Sequence, residues 1–366
     1  MGNMISYLQE KGNVTFDDLP FNEVDSLILS QLSYLDFQSV VIRKNNFKIS
    51  FSDLSMIDTE YLIKNSFFPE MNQMLFIHVC NSMRFGSIKL GYYINNHDLE
   101  SEKQFSAITF KLRKNLYYIA YRGTDESIVG WKEDVNLSFL ENIPAQKDAV
   151  NYYEKIATRK IGKFILGGHS KGGNLAVFTA LKSNKRVKKK IQKVYNHDGP
   201  GFLPEVISEE EYKTVSALIH KTVPRSSIVG LLFEQHGDYS VIESNSVSFL
   251  QHNPFSWVVE KGAFVPVESV TAFSEYINQT LNTWLLSLDI SERKEFVDHL
   301  YYLFQSSDIQ TIHELDSEKI KNLLKNIHSS DTEKKKIMQE MITELIKISF
   351  LEMKHIISKK LKRKEL

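Results

Sequence analysis

The chain has 366 residues, of which 42% are hydrophobic and 25% charged, and 45 Lys plus Arg balance 45 Asp plus Glu. That length and balance support one large α/β domain with additions, or two domains, and a zero formal net charge points to neither nucleic acid nor another polyanion as partner. The lone cysteine, Cys80, excludes an internal disulfide and a cysteine zinc cluster; it reads as a buried, inert thiol and fits a reducing, cytoplasmic setting.

In chain order, the N-terminus lacks the basic segment and apolar run of a signal peptide. Gly2 to Ser6 matches the short M-G-x-x-x-S/T acylation pattern, which matters only in a cell that owns the transferase. The richness in Lys, Ile and Asn is that of an AT-rich bacterial genome. Residues 1–60 read as mostly helical: PFNEVDSLILSQLSYLDF has helical apolar spacing, with Asn22 or Asp25 to cap it. A helical or mixed stretch runs to Arg84. FSAITFKL then alternates, and LYYIAYRG is an apolar strand ending in a turn glycine. A polar loop spans Asp125–Asn136. DAVNYYEKIATR predicts a helix, KFILGG a buried strand, GGNLAVFTALKSN a helix and QKVYNHDGPG a strand running into a turn. Such alternation predicts a mostly parallel sheet with flanking helices. From about 270 the periodicity is helical in FSEYINQTLNTWLLSL, SERKEFVDHLYYLFQ and the long segment 332–364. No stretch reaches the ~20 apolar residues of a membrane span.

The strongest chemical signal is Gly168-His169-Ser170-Lys171-Gly172, a G-x-S-x-G pattern between an apolar strand and an Ala/Leu-rich helix. Strand, sharp turn and helix together form a nucleophile elbow. The elbow exposes Ser170 at the carboxyl edge of the sheet, over a helix N-terminus that favours developing negative charge. Acyl chemistry at Ser170 also needs an oxyanion site. One donor is the backbone N–H of Lys171; the second is Thr124, in the Arg122-Gly123-Thr124-Asp125 segment after an earlier strand. Asp198, at the end of the strand after the elbow helix, is placed to orient a histidine base.

YRGTDES, GWKEDV and GGHSKGGNLA together resemble the class 3 lipase family, with its RGS/T oxyanion loop, W-x-x-D and GHS-x-GG. Gly168–Ala176, the DGPGF turn at Asp198–Phe202 and the QH-x-PFSW segment at Gln251–Trp257 are most similar to the Mbeg-like bacterial hydrolases, over roughly residues 20–275. The resemblance implies an α/β-hydrolase fold acting on a carboxylic ester, lipid esters included; the residues show no metal-ligand spacing, and no cofactor and no metal are expected. It also selects the base, His252, from eleven histidines. His169 reads as supporting structure with its side chain pointing away from Ser170, while His197, His220 and His236 are the competitors. In class 3 lipases the acid usually sits one strand later than Asp198. The matching segment here, HKTVPRSSIVGLL, has Ser226 and Ser227 and no aspartate, so Asp198 is preferred, with Asp238 and Glu243 behind it.

The expected architecture is an α/β-hydrolase domain over 1–275, including an N-terminal helical extension, and a C-terminal helical region over 276–366. The expected catalytic residues are Ser170, His252 and Asp198, with Thr124 and Lys171 as the oxyanion donors. Thioester or amide cleavage, acyl transfer to another acceptor, and a non-catalytic scaffold are the alternatives. Helical segments near 203–235 are candidates for a lid. The basic end of the last helix reads as a solvated face or as a contact with an anionic membrane surface. Nucleic acid is not expected as a partner, and oligomeric state is not encoded in these signals.

Overall fold

The computed structural model describes residues 2–41, 47–64, 66, 68–98, 103–124, 143–234, 239–295, 297–298, 339 and 343. One sheet holds eight strands in sequential order: β1 (Ile49–Ser50), β2 (Lys89–Asp98), β3 (Lys103–Arg113), β4 (Leu116–Tyr121), β5 (Lys163–His169), β6 (Ile191–His197), β7 (Ile219–Pro224) and β8 (Tyr239–Ile242). β1 to β4 pair antiparallel, and β4 to β8 pair parallel. The β3–β4 hairpin is short enough to close through Lys114-Asn115, with Asn115 at a φ of 60°. The crossovers from β4 to β5 and from β5 to β6 use the helices Pro144–Arg159 and Lys171–Lys182. This is the α/β-hydrolase arrangement, with an antiparallel half added on one side.

Successive side chains of a strand face opposite sides, and here both sides are core. On β4, Tyr117, Ile119 and Tyr121 join Phe164 and Leu166 of β5 beneath the two crossover helices. Tyr118, Ala120, Ile165 and Tyr195 face the other way, onto the helices Met4–Lys11, Glu23–Leu32 and Pro69–Cys80. The N-terminal helical part is therefore one of three layers. The expected cap of its second helix is reciprocal: Asn22 accepts from the Asp25 N–H, and Asp25 accepts from the Asn22 N–H.

Asp25 is also the centre of a buried knot. Arg84 Nε donates to Asp25 Oδ1 at 2.7 Å and a second guanidinium nitrogen to Oδ2 at 2.5 Å, with both side chains fully buried. The rest of the guanidinium donates to the carbonyls of Val14, Thr15, Leu19 and Pro20, and its plane lies over Phe16. Tyr7 donates to Asp25 Oδ1. Every charge-bearing atom of the pair is thus hydrogen-bonded, which burial demands. Cys80 is buried in the same layer, and burial pushes its thiol up to about 12.

The helix Ala272–Ser287 forms as its periodicity predicts. Its Asn278 and Asn282 reach back to the carbonyls of Ser227 and Leu231, and Ile277 and Leu285 are buried, so the expected boundary at 275/276 falls inside a packed helix. Most of the expected helices over 291–305 and 332–364, and the loop Asp125–Asn136, lie outside the described residues. No described helix is long and apolar enough to cross a membrane.

Replacing Arg84 strands a buried carboxylate. Arg84→Ala should lower unfolding free energy by about 3–5 kcal/mol, and Arg84→Lys should restore little of it because the fork is lost. Urea denaturation measures both, and a loss below about 1 kcal/mol, the scale of a surface pair, would refute the knot's role.

Candidate active site

β5 ends at His169, and the next residue turns sharply: Ser170 sits at φ 58° and ψ −131°, then the helix Lys171–Lys182 begins. Non-glycine residues rarely adopt a positive φ, and here packing enforces it. The turn is tight enough that a Cβ on Gly172 would come within 2.1 Å of the Tyr121 carbonyl oxygen. Ser170 N–H donates to the His197 carbonyl at 2.9 Å, fixing the turn against β6.

Asp198 repeats the device one strand over. It follows β6 directly, has φ 53°, and donates its N–H to the Thr222 carbonyl at 2.8 Å. Its carboxylate is fully buried. His252 comes from a short 3-10 helix, Ser248–His252, well after β8. Its Nδ1 is 2.7 Å from Asp198 Oδ2, and its Nε2 is 2.9 Å from Ser170 Oγ. A carboxylate only accepts, so Nδ1 carries the proton and Nε2 is left to accept from the Ser170 hydroxyl. The imidazole keeps 28% of its side-chain surface exposed, so solvent reaches it.

The other carboxylate oxygen is held by a residue that sequence reasoning passed over. Ser227 Oγ donates to Asp198 Oδ1 at 2.5 Å and accepts from the Gly230 N–H at 3.1 Å. The segment where an acid was sought and a serine found therefore holds the Asp198 carboxylate. Its signal was present in the sequence as Ser226-Ser227, but a hydroxyl alone does not say what it donates to.

His169 does not point away from the site as expected. Its ring centre is 4.6 Å from that of His252, and its Nε2–H donates to the His252 carbonyl at 2.9 Å. It holds the His252 backbone, with Tyr34 OH 3.4 Å from its Nδ1. Burial, then the neighbouring His252 and His197, hold His169 well below the ordinary imidazole range. Gln251 adds a further brace: Trp257 Nε1 donates to its carbonyl, and its side chain bridges the Ser226 N–H and the Ser246 carbonyl.

Thr124 is buried two residues beyond Arg122, whose N–H donates to the Ser106 carbonyl. Gly123 is so close that a Cβ there would lie 2.7 Å from the His169 carbonyl oxygen and 2.1 Å from Tyr34 OH. Lys171 opens the elbow helix, where N–H groups have no intrahelical acceptor. Gly123, the residue before Thr124, thus packs on the last residue of β5, and Lys171 directly follows Ser170. Asp125, Trp131 and Asp134 lie outside the described residues, as do His236 and Asp238. Glu243 pairs with Arg225, and His220 stacks on Tyr195. Among the described residues no group of His, Cys, Asp and Glu has a metal-binding arrangement.

The model of the Mbeg1-like family matches residues 79–302, more than half of the chain. The match leaves out the helices before Cys80, although they cover one face of the sheet. Comparison with curated proteins gives no match. Among solved structures, the native Rhizomucor miehei lipase propeptide complex is 16% identical, with a TM-score of 0.31 over 46% of this chain and 66% of that one, so this chain spans just under two thirds of it. Lipase II from Rhizopus niveus is 15% identical, with a TM-score of 0.36 over 59% and 76%. Lip2 lipase from Yarrowia lipolytica is 13% identical, with a TM-score of 0.32 over 56% and 78%.

His197, at the end of β6, is buried with Nε2 2.9 Å from Ser26 Oγ, and burial pushes its pKa down from 6.5 to about 3. The unfolded chain takes up this proton more readily than the folded one. Stability should hold above about pH 6.5 and fall as pH drops towards the folded value, by about 2 kcal/mol at pH 5 from this residue alone. Denaturant midpoints at pH 7.5 and pH 5 check this, and His197→Gln should flatten the slope by about that amount. An unchanged slope would contradict it.

Proposed function

The chain belongs to the Mbeg1-like family, and we propose that it is a serine hydrolase that cleaves carboxylic esters through an acyl-enzyme. One observation carries this reading: an unbroken hydrogen-bonded path from Ser170 Oγ through both nitrogens of His252 to Asp198.

His252 Nε2 takes the Ser170 proton as Oγ attacks the ester carbonyl. Negative charge moves to the carbonyl oxygen, where the backbone N–H groups of Thr124 and Lys171 receive it; each such donor is worth ~10²–10³ in turnover. The imidazolium is stabilised by the carboxylate of Asp198, to which Ser227 and His252 each donate a hydrogen bond. His252 then returns the proton to the departing alkoxide. Water repeats the sequence on the acyl-enzyme, losing its proton to His252 and releasing the acid and free Ser170. Ser227 acts through Asp198 and is a positioning residue, as is His169 through the His252 backbone.

A nitrophenyl ester series from acetyl to palmitoyl, with a fluorophosphonate probe, tests the reading. Release on at least one chain length and labelling that vanishes in Ser170→Ala are expected. Failure of both in folded protein would leave a binding scaffold instead. Asp198→Asn should lower kcat about 10⁴-fold at nearly unchanged KM, because the wrong imidazole tautomer is favoured. Ser227→Ala should lower kcat about tenfold or more, and Ser227→Thr should recover most of it.

A further inference from the structure

The opposite edge of the sheet carries a feature the chemistry does not use. Three loops feed the amino ends of β4, β5 and β6: the turn Arg113–Asn115, the segment Arg159–Gly162 and the stretch 184–190. The strand register sets these ends side by side, Leu116 against Lys163 and Phe164 against Ile191. Backbone bonds tie the loops together, Lys163 N–H to the Asn115 carbonyl and Phe164 N–H to the Lys190 carbonyl, both at 2.9 Å. Lys190 Nζ also reaches the carbonyls of Ala157 and Lys160, and Lys163 Nζ that of Lys189. The three loops therefore form one framed surface.

Its charge has one sign. From 155 to 197 the sequence has twelve Lys or Arg and neither Asp nor Glu, in a chain of zero net charge. Lys171 belongs to the site, but Arg113, Lys114, Arg159, Lys185, Arg186 and Lys189 are exposed on these loops, with no carboxylate partner among the described residues. Glu154, at the margin, accepts from the Asn184 N–H. On the β7 side the acids Glu209 and Glu211 are paired with Lys213 and Lys182, which closes the patch. In the middle loop, among these cations, Ile161 is 81% exposed.

We infer that this edge is a docking surface for an anionic lipid bilayer, with Ile161 entering the headgroup region and the surrounding cations meeting lipid phosphates. A single exposed isoleucine is ordinary on its own. Its place inside a ring of cations favours a bilayer, which rewards both charge and apolar contact. A soluble polyanion rewards charge alone, and the loops present neither an exposed aromatic for base stacking nor a groove-sized helix. β5 has seven residues, so Ser170 lies about 20 Å away at the opposite edge. A docked molecule presents Ser170 to the aqueous side. The inference stands independently of the hydrolase reading.

Co-sedimentation of the full chain with vesicles tests it. Vesicles with one third phosphatidylglycerol should bind at low salt and release at high salt, and pure phosphatidylcholine vesicles should not bind. Arg186→Glu with Lys189→Glu should weaken partitioning about hundredfold, as should Arg113→Glu with Lys114→Glu on a separate loop, so that one misfolded pair leaves the test intact. Ile161→Ser should weaken it about tenfold at unchanged charge. Failure to bind anionic vesicles overturns the proposal. So does loss of binding only on neutralising the basic run at 359–364, or an Ile161→Ser protein that binds like wild type and is displaced by heparin.

Discussion

Two backbone hydrogen bonds arrange the site. Ser170 N–H to the His197 carbonyl, and Asp198 N–H to the Thr222 carbonyl, carry the parallel ladder one rung past the ends of β5 and β6. Each residue then leaves its strand at positive φ, 58° and 53°. A right-handed turn would carry the side chain along the sheet; this one lifts it off the rim. The hydroxyl and the carboxylate, 28 residues apart, are therefore set by the same register. Only the imidazole between them has to be delivered from elsewhere.

That delivery is less local and is braced more heavily. His252 stands on a short 3-10 segment, which alone gives little rigidity. Its backbone is gripped by His169, and the residue before it, Gln251, is held by Trp257 and by its own side chain, which bonds Ser226 and Ser246. The carboxylate side is secured by Ser227, whose own carbonyl is held by Asn278 of the helix Ala272–Ser287. A pair of buried neutral histidines, His169 and His197, lies alongside. They contribute hydrogen bonds and rings, while the partly exposed His252 is the one that meets solvent.

The sequence made the local parts legible and concealed the relational ones. An apolar strand, G-x-S-x-G and a small-residue helix specify the turn at Ser170, because the steric demand lies within a few residues. Asp198 was readable for the same reason, as a carboxylate at a strand end beside a Gly-Pro turn. His252 needed the resemblance, since nothing in its neighbours says that the chain returns there. Ser227 and the inward ring of His169 escaped because their meaning lies in partners 29 and 83 positions away. The N-terminal helices read as an extension, since an amphipathic helix does not declare which surface it covers. In the fold they form most of the layer on one face, beside Phe255, Trp257 and Phe264, and are locked by Asp25 and Arg84, 59 positions apart.

The beginning of the chain has an unusual partner. Val259 N–H donates to the Gly2 carbonyl at 3.0 Å, and Asn3 donates to the Phe255 carbonyl at 3.0 Å, while Asn3 also caps the first helix. These partners lie three and seven residues beyond His252. On the ribosome, the segment around Asn3 emerges some 250 residues before the stretch it must clasp. Its helices have their apolar faces ready long before the far side of the sheet exists, so this layer is the part of the nascent chain most in need of shelter from association with its neighbours.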